Sequence, residues 1–164
     1  MGKTRGRNAS LFGRHNEDTF EAKLVDCGYG ESCDTHNLRT HSFTKQFPFN
    51  HPWKKRGKGD FLLRTPGDVL VLVQNKTQNK SGTTDEKIPF QFDVARWSLT
   101  ELQFDEFWMV LGGVFWATPQ GGVRVEAYKK KAKETDVLAM ERMKSRVFLQ
   151  NDKGLSFHLR LNHQ

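Results

Sequence analysis

The chain has 164 residues, enough for one domain with its own core and short for two. Hydrophobic content of 36%, charged content of 27% and a mean hydropathy of −0.70 describe a soluble chain with a thin core, which thirteen Phe and four Trp must largely fill. A net charge of +7 and a pI of about 9.5 favour an anionic partner. No apolar run approaches the ~18 residues of a membrane span and the first residues lack the apolar stretch of a signal peptide, so the expected setting is intracellular, away from membranes, with Cys27 and Cys33 as thiols.

Residues 1–14 carry Lys3, Arg5, Arg7 and Arg14 among Gly and Asn and read as a flexible basic arm, suited to gripping phosphates or entering a minor groove. A helix is expected next: Asn16 offers an N-cap, Glu17 and Asp18 fall in the first turn, and Gly28 supplies the stop. Phe20, Leu24 and Cys27 recur at i, i+4, i+7 and face the core, while Glu17 and Glu21 lie one turn apart on another face. Residues 30–58 are polar, aromatic and basic. Phe43, Phe47, Phe49 and Trp53 interleave with His41, Lys45, His51, Lys54, Lys55, Arg56 and Lys58, the composition of a nucleic-acid-contacting loop or of a surface loop whose rings pack on the core. Cys27, Cys33, His36 and His41 are ligand types that suit zinc, but their spacing matches no common finger.

The stretch 58–76, KGDFLLRTPGDVLVLVQNK, is a β-hairpin on its pattern: an apolar run at Phe61–Leu63, a turn at Pro66–Gly67, and a second apolar run from Val69 to Val73. Pro before Gly predicts a type II turn over Thr65–Asp68, which sets Asp60 opposite Val73 and beside Gln74. Gln74 and Lys76, two apart, project to one face. A carboxylate, an amide oxygen and an ammonium thus gather at the open end. Such a set can hold Mg²⁺ with several of its waters and stabilise charge building on a phosphorus centre.

Beyond Lys76 the chain is polar through Lys80 to Lys87. Ser98 and Glu101 form a capping box, and Leu99, Leu102, Phe104, Phe107, Trp108 and Leu111 predict a helix ending at Gly112–Gly113. Val114–Thr118 and Val123–Tyr128 predict a second hairpin across Pro119–Gly122. In 129–164, Lys129, Lys130, Lys131 and Lys133 form a basic knot, Val137, Met140, Met143 and Val147 suit a short helix, and Leu155, Phe157, Leu159 and Leu161 alternate as a half-buried strand.

The pattern Asp60, thirteen intervening residues, Gln74, one residue, Lys76 resembles the PD-(D/E)xK nuclease superfamily, with Gly59 where the family name has Pro and Gln74 where Glu or Asp is usual. Some restriction and homing endonucleases of that superfamily carry Gln there, and an exchanged catalytic Glu would read the same. The spacings Gly13, Glu17 and Gly28–Tyr29 are similar to those of archaeal Holliday-junction resolvases, a branch of it. The resemblance covers about 13–128. It implies an α/β fold with a restriction-endonuclease-like core, a mixed central sheet flanked by helices, and here a C-terminal accessory helix and β-hairpin. Domain organisation is then an arm at 1–14, a nuclease core at 15–128 with its basic aromatic insert at 30–58, and an accessory element at 129–164. Carried over, Asp60, Gln74 and Glu17 hold Mg²⁺, with Mn²⁺ as a substitute, and Lys76 completes a catalytic set of Glu17, Asp60, Gln74 and Lys76; Glu21 is the reserve carboxylate. The DNA-binding candidates are Arg5, Arg7, Arg14, Lys45, Trp53, Lys54, Lys55, Arg56, Lys58, Lys80, Lys129, Lys130 and Lys131. The expected protein is a metal-dependent endodeoxyribonuclease acting on double-stranded DNA, sequence-specific in the homing or restriction manner, as a homodimer or homotetramer, cytoplasmic or nucleoid-associated. The alternatives are a Holliday-junction resolvase, a catalytically weakened DNA-binding module, and an RNA-processing nuclease.

Overall fold

The computed structural model describes residues 3–34, 37–51, 54–80, 82, 87–94, 104–138 and 144–161, with side chains described outside 3–13, 50–56 and 135–138. In chain order these form α1 (Lys3–Asp26), β1 (Gly30–Glu31), β2 (Ser42–His51), β3 (Lys54–Arg64) and β4 (Leu70–Thr77). Then come α2 (87–94), β5 (Glu106–Gly112), a 3₁₀ turn (Val114–Ala117), α3 (Pro119–Leu138), β6 (Lys144–Leu149) and α4 (Lys153–Arg160). The strands make one mixed six-stranded sheet in sequence order. β2, β3 and β4 are antiparallel neighbours, whereas β4, β5 and β6 run parallel and β1 runs parallel to β2. The fold is therefore α/β, and among the described residues no helix is long and apolar enough to cross a membrane.

Alternation along the strands divides the core in two. Phe61, Leu63, Val71, Val73, Trp108 and Val110 face Phe20 and Leu24 of α1 and Leu155 and Leu159 of α4. Leu62, Leu72, Phe107, Met109 and Leu111 face Ile88 and Phe92 of α2 and Val125, Tyr128 and Ala132 of α3. Full burial of Phe20 and Leu24 contributes about 1.5–3 kcal/mol each and holds α1 to the sheet. The helix ends as the sequence predicts, with Gly28 left-handed at φ 90° and Tyr29 N–H donating to the Leu24 carbonyl at 3.0 Å. At its other end it begins at Lys3, not Asn16, so the segment expected as an arm is helical from Lys3. Asn16 is then no cap but a buried mid-helix residue, whose carbonyl accepts from Gln150 Nε2 at 3.0 Å. It fits because Gly112 of β5 lies beneath it: a Cβ there would collide with Asn16 Oδ1.

Beyond residue 97 four further expectations fail. Residues 106–112 are β5, not helix, and all seven are buried. A parallel strand covered on both faces is continuously apolar and carries no period of two; residues 98–103 of the expected helix lie outside the described residues. The second hairpin is the 3₁₀ turn followed by α3. Thr118–Pro119 opens that helix as N-cap and first residue, with Thr118 Oγ1 accepting from Gly121 N–H at 3.1 Å. Gly121 answers crowding rather than a turn, since a Cβ would meet the Phe115 carbonyl. The alternating Leu155–Leu161 segment is α4, capped by Asp152 Oδ1 on Gly154 N–H at 2.8 Å, and it buries Leu155 and Leu159 one turn apart while Phe157 stays exposed. Finally, Val147 lies in β6, beside β5 in the sheet, so the C-terminal segment belongs to the core rather than to an accessory hairpin. Met140 and Met143 lie outside the described residues.

The insert at 30–58 is also different in kind. Most of it is the long β2–β3 hairpin, with Phe43 and Phe49 buried and Phe47 packed edge-on against Phe104 at 5.8 Å. It is a ribbon whose Phe43, Phe47 and Phe49 serve the core.

Candidate active site

The site begins with the turn between β3 and β4. Thr65 N–H donates to the Val69 carbonyl at 2.9 Å and Asp68 N–H to the Thr65 carbonyl at 3.0 Å, so the loop has three residues rather than two. Its left-handed residue is Asp68, at φ 64°, rather than Gly67, and Arg64 holds the Asp68 carboxylate at 2.8 Å. This is a type I turn closed by a left-handed residue, a common three-residue hairpin, and not the expected type II turn. The extra residue moves the register by one. Phe61 pairs with Val73, so the next step outward sets Asp60 opposite Gln74 rather than Val73.

Backbone pairing of β3 with β4 stops at Phe61 and Val73, and side chains take over there. Asp60 Oδ2 accepts from the Asn75 N–H at 2.7 Å, and Gln74 Nε2 donates to the Lys58 carbonyl at 2.7 Å. The strands spread, and the Gln74 amide is turned with its oxygen toward Lys76, whose Nζ donates to Oε1 at 3.1 Å and stands 4.0 Å from Asp60 Oδ2. Three of the four expected residues are thus joined by one network.

Glu17 arrives from α1. Its carboxyl is pushed above the ordinary carboxylate range, first by partial burial and then by the negative charge of Asp60, with the positive charge of Lys76 opposing. Burial likewise raises the Asp60 carboxyl, against the pull of Lys76 and of the Asn75 N–H. Two raised carboxylates at a partly desolvated gap, one of them pushed up by the other's charge, are short of positive charge. Glu21, the reserve carboxylate, is already occupied: Lys45 reaches it at 2.9 Å and Glu31 at 3.3 Å.

Among the described residues no three His, Cys, Asp or Glu side chains form a ready metal cage. The donors available at the hairpin are two carboxylates and one amide oxygen, all hard oxygens. That number suits Mg²⁺, which binds through one or two carboxylates and keeps several waters, so the residues fit the ion that the motif implies. The zinc set has no comparable arrangement. His41 Nε2 is bonded to the Cys27 carbonyl at 2.9 Å and its ring packs on Tyr29 at 4.7 Å, Cys33 is exposed, and His36 lies outside the described residues.

Sequence reasoning missed Gln46, which it left inside a loop. Gln46 lies in β2 across from Asp60, between the pairs Lys45–Phe61 and Phe47–Gly59, and its Nε2 donates to Glu17 Oε2 at 3.4 Å. The only sequence signal for β2 is the spacing of its Phe residues, and it misleads. Phe43 and Phe47, four apart, should share a face, yet they pack on opposite ones.

The DNA-binding candidates whose side chains are described lie on several different elements. Arg14, Lys58 and Lys80 are exposed, and Lys45 is the paired residue above. Arg5 and Arg7 lie in α1 and Lys54, Lys55 and Arg56 in β3, with side chains outside the description, as is Trp53 altogether. Lys129, Lys130 and Lys133 line a groove of about 670 Å³ between α3 and β6, with Lys144 and Arg146 opposite; no site residue lines it. Lys131 is on the same helix. Comparison of the chain with protein-family models, with curated proteins and with solved structures finds no match.

Proposed function

We propose that the protein is a Mg²⁺-dependent DNA endonuclease whose site is formed by Glu17, Asp60, Gln74 and Lys76. The observation that carries this reading is the convergence of those side chains where β3 and β4 separate, with two raised carboxylates and a lysine that bridges Asp60 and Gln74. A bound Mg²⁺ would supply a lowered water pKa and polarise a phosphoryl oxygen. Asp60, held by the Asn75 N–H, and Glu17 contribute the charges that attract the ion. Gln74, locked to the Lys58 carbonyl, turns a neutral oxygen to the same gap. Lys76 is within reach of both and supplies positive charge where a phosphodiester would accumulate negative charge. The neutral Gln74 implies weak binding of Mg²⁺, in a millimolar rather than micromolar range.

Double-stranded DNA is the proposed substrate, because the +7 chain favours a polyanion and the β2–β3 ribbon, continuous with the site through Asp60, is the kind of two-stranded element that a major groove admits. That ribbon favours a sequence-specific cutter. The second reading, a junction resolvase, draws on Glu17 standing beside Asp60 with Gly28 ending its helix, the spacing that branch shares. The test is cleavage of a randomised duplex library and of a synthetic four-way junction, in Mg²⁺ and in EDTA, by the wild type and by Lys76→Ala. Mg²⁺-dependent cuts at one long site, absent with Lys76→Ala, support the first reading. Cuts confined to the junction support the second, and binding without cutting in any condition overturns both.

A further inference from the structure

Three observations coincide at Gln46. Its backbone is left-handed, at φ 53°, a conformation that residues with a Cβ avoid. It occupies the position facing Asp60 across the ribbon. Its side-chain amide donates to Glu17, at 3.4 Å.

A reversal of the ribbon at this point accounts for the backbone alone. Phe43 packs on the α1 face and Phe47 and Phe49 on the α2 face, and on the partner strand a Cβ at Gly59 would touch Leu72, which belongs to the α2 face, while Phe61 belongs to the other. Glycine would make that reversal with less strain. What glycine lacks is the amide. Asp60 is anchored by the Asn75 N–H and Gln74 by the Lys58 carbonyl, whereas the bond from Gln46 is the one side-chain hydrogen bond to Glu17 among the described residues. An amide also has a specific merit over a lysine here. It orients a carboxylate through one oxygen without cancelling the charge that a dication needs.

We propose that Gln46 is a positioning residue, keeping a strained backbone so that its amide turns the Glu17 carboxylate toward Asp60, where the pair shares a divalent cation. This rests on the nuclease reading of the site. Partners that orient metal ligands are commonly worth 10–100-fold in affinity or activity, and long hydrogen bonds of this kind tighten when a site is filled.

The experiment is calorimetric titration with Mn²⁺ of the wild type, Gln46→Gly and Gln46→Asn, with melting temperatures in EDTA, affinity for uncleaved duplex in EDTA, and cleavage kinetics. Gly relieves the left-handed strain and Asn tolerates it, but neither reaches Glu17. The expected result is that both variants bind Mn²⁺ about tenfold more weakly, with a melting temperature at or above wild type for Gly, unchanged duplex affinity, and a loss in kcat without a change in KM for DNA. A folded Gln46→Gly with wild-type Mn²⁺ affinity overturns the proposal and leaves the nuclease reading standing. So does a fall in melting temperature that accounts for the lost affinity in both variants. A wild type that neither binds Mn²⁺ nor cuts DNA defeats the site itself, and the proposal with it.

Discussion

Two carboxylates of the sheet, Glu106 on β5, which is buried, and Asp60 on β3, which is half-buried, are treated in opposite ways. Glu106, at the start of β5 and 4% exposed, accepts from Trp108 Nε1 at 2.7 Å and from Arg146 Nε at 2.9 Å on one oxygen, and from the Arg146 guanidinium at 3.4 Å on the other. Both oxygens have donors and the charge has a planar cation beside it. Asp60 has one backbone N–H and a lysine 4.0 Å away that bonds more closely to Gln74, and a second carboxylate faces it. The first arrangement is complete and gives a ligand nothing to do. The second is deficient in positive charge, and the proposed cation site rests on that deficiency.

The comparison can be broken by removing partners. The largest effect is expected for Lys76→Ala: cleavage should fall by roughly 10²–10³-fold, as when one charge-stabilising donor is lost, with the melting temperature little changed. Arg146→Met should do the reverse. It strands Glu106 without its cation, costing about 3–5 kcal/mol of stability in a denaturant titration, while the fraction that remains folded keeps its activity. If Arg146→Met instead spared the fold and abolished cutting, the assignment of structural and functional carboxylates would be inverted.

Smaller changes sharpen it. Gln74→Glu supplies the carboxylate usual in the resembled superfamily but removes the donor to the Lys58 carbonyl. It should lower stability in EDTA by about 1–3 kcal/mol, the usual consequence of leaving a polar group unpaired, and recover part of this in Mg²⁺. A variant that melts like the wild type in EDTA would mean that Gln74 does not hold the ribbon. Asp60→Asn acts through the raised carboxyl. Between the ordinary carboxylate range and the raised value the folded state holds the proton that the unfolded state has released, so stability falls as pH rises through that window and stays lost above it. Removing the charge should raise the melting temperature at neutral pH by roughly 2–4 °C, what about 1 kcal/mol does in a domain of this size, and the gain should shrink as pH falls back through the window. A lower melting temperature at neutral pH would show that Asp60 is neutralised as well as Glu106 is.

The hairpin bearing Asp60, Gln74 and Lys76 was legible because local signals fix it: two apolar runs, a Pro–Gly turn and polar ends. The core face of α1 was legible too, since Phe20, Leu24 and Cys27 recur at helical spacing on a helix packed on one side. The remaining sheet was not. Phe107 to Leu111 is apolar throughout because helices cover both faces of β5, and in so short a run the periods of helix and strand cannot be told apart. Leu155, Phe157, Leu159 and Leu161 satisfy both periods, and the Asp152 cap, with Gly154 two residues later, was the cue that decides for helix. Gln46 was beyond sequence reasoning for a different reason. Its role depends on facing Asp60 across a ribbon and Glu17 on a distant helix, relations between elements rather than within one.

Gly112 has a bearing on how such sites are recognised. The helix bearing Glu17 meets the sheet there through the side chain of Asn16, the residue before Glu17, which with Gln150 fills the space a Cβ would need. The seat of Asn16, one residue from Glu17, thus depends on a missing atom. A methyl group at 112 would displace the Asn16 and Gln150 side chains and act as a wedge between α1 and β5. A chain can therefore keep every letter of the motif and still lack the site, through one substitution at a position that bears no chemistry of its own.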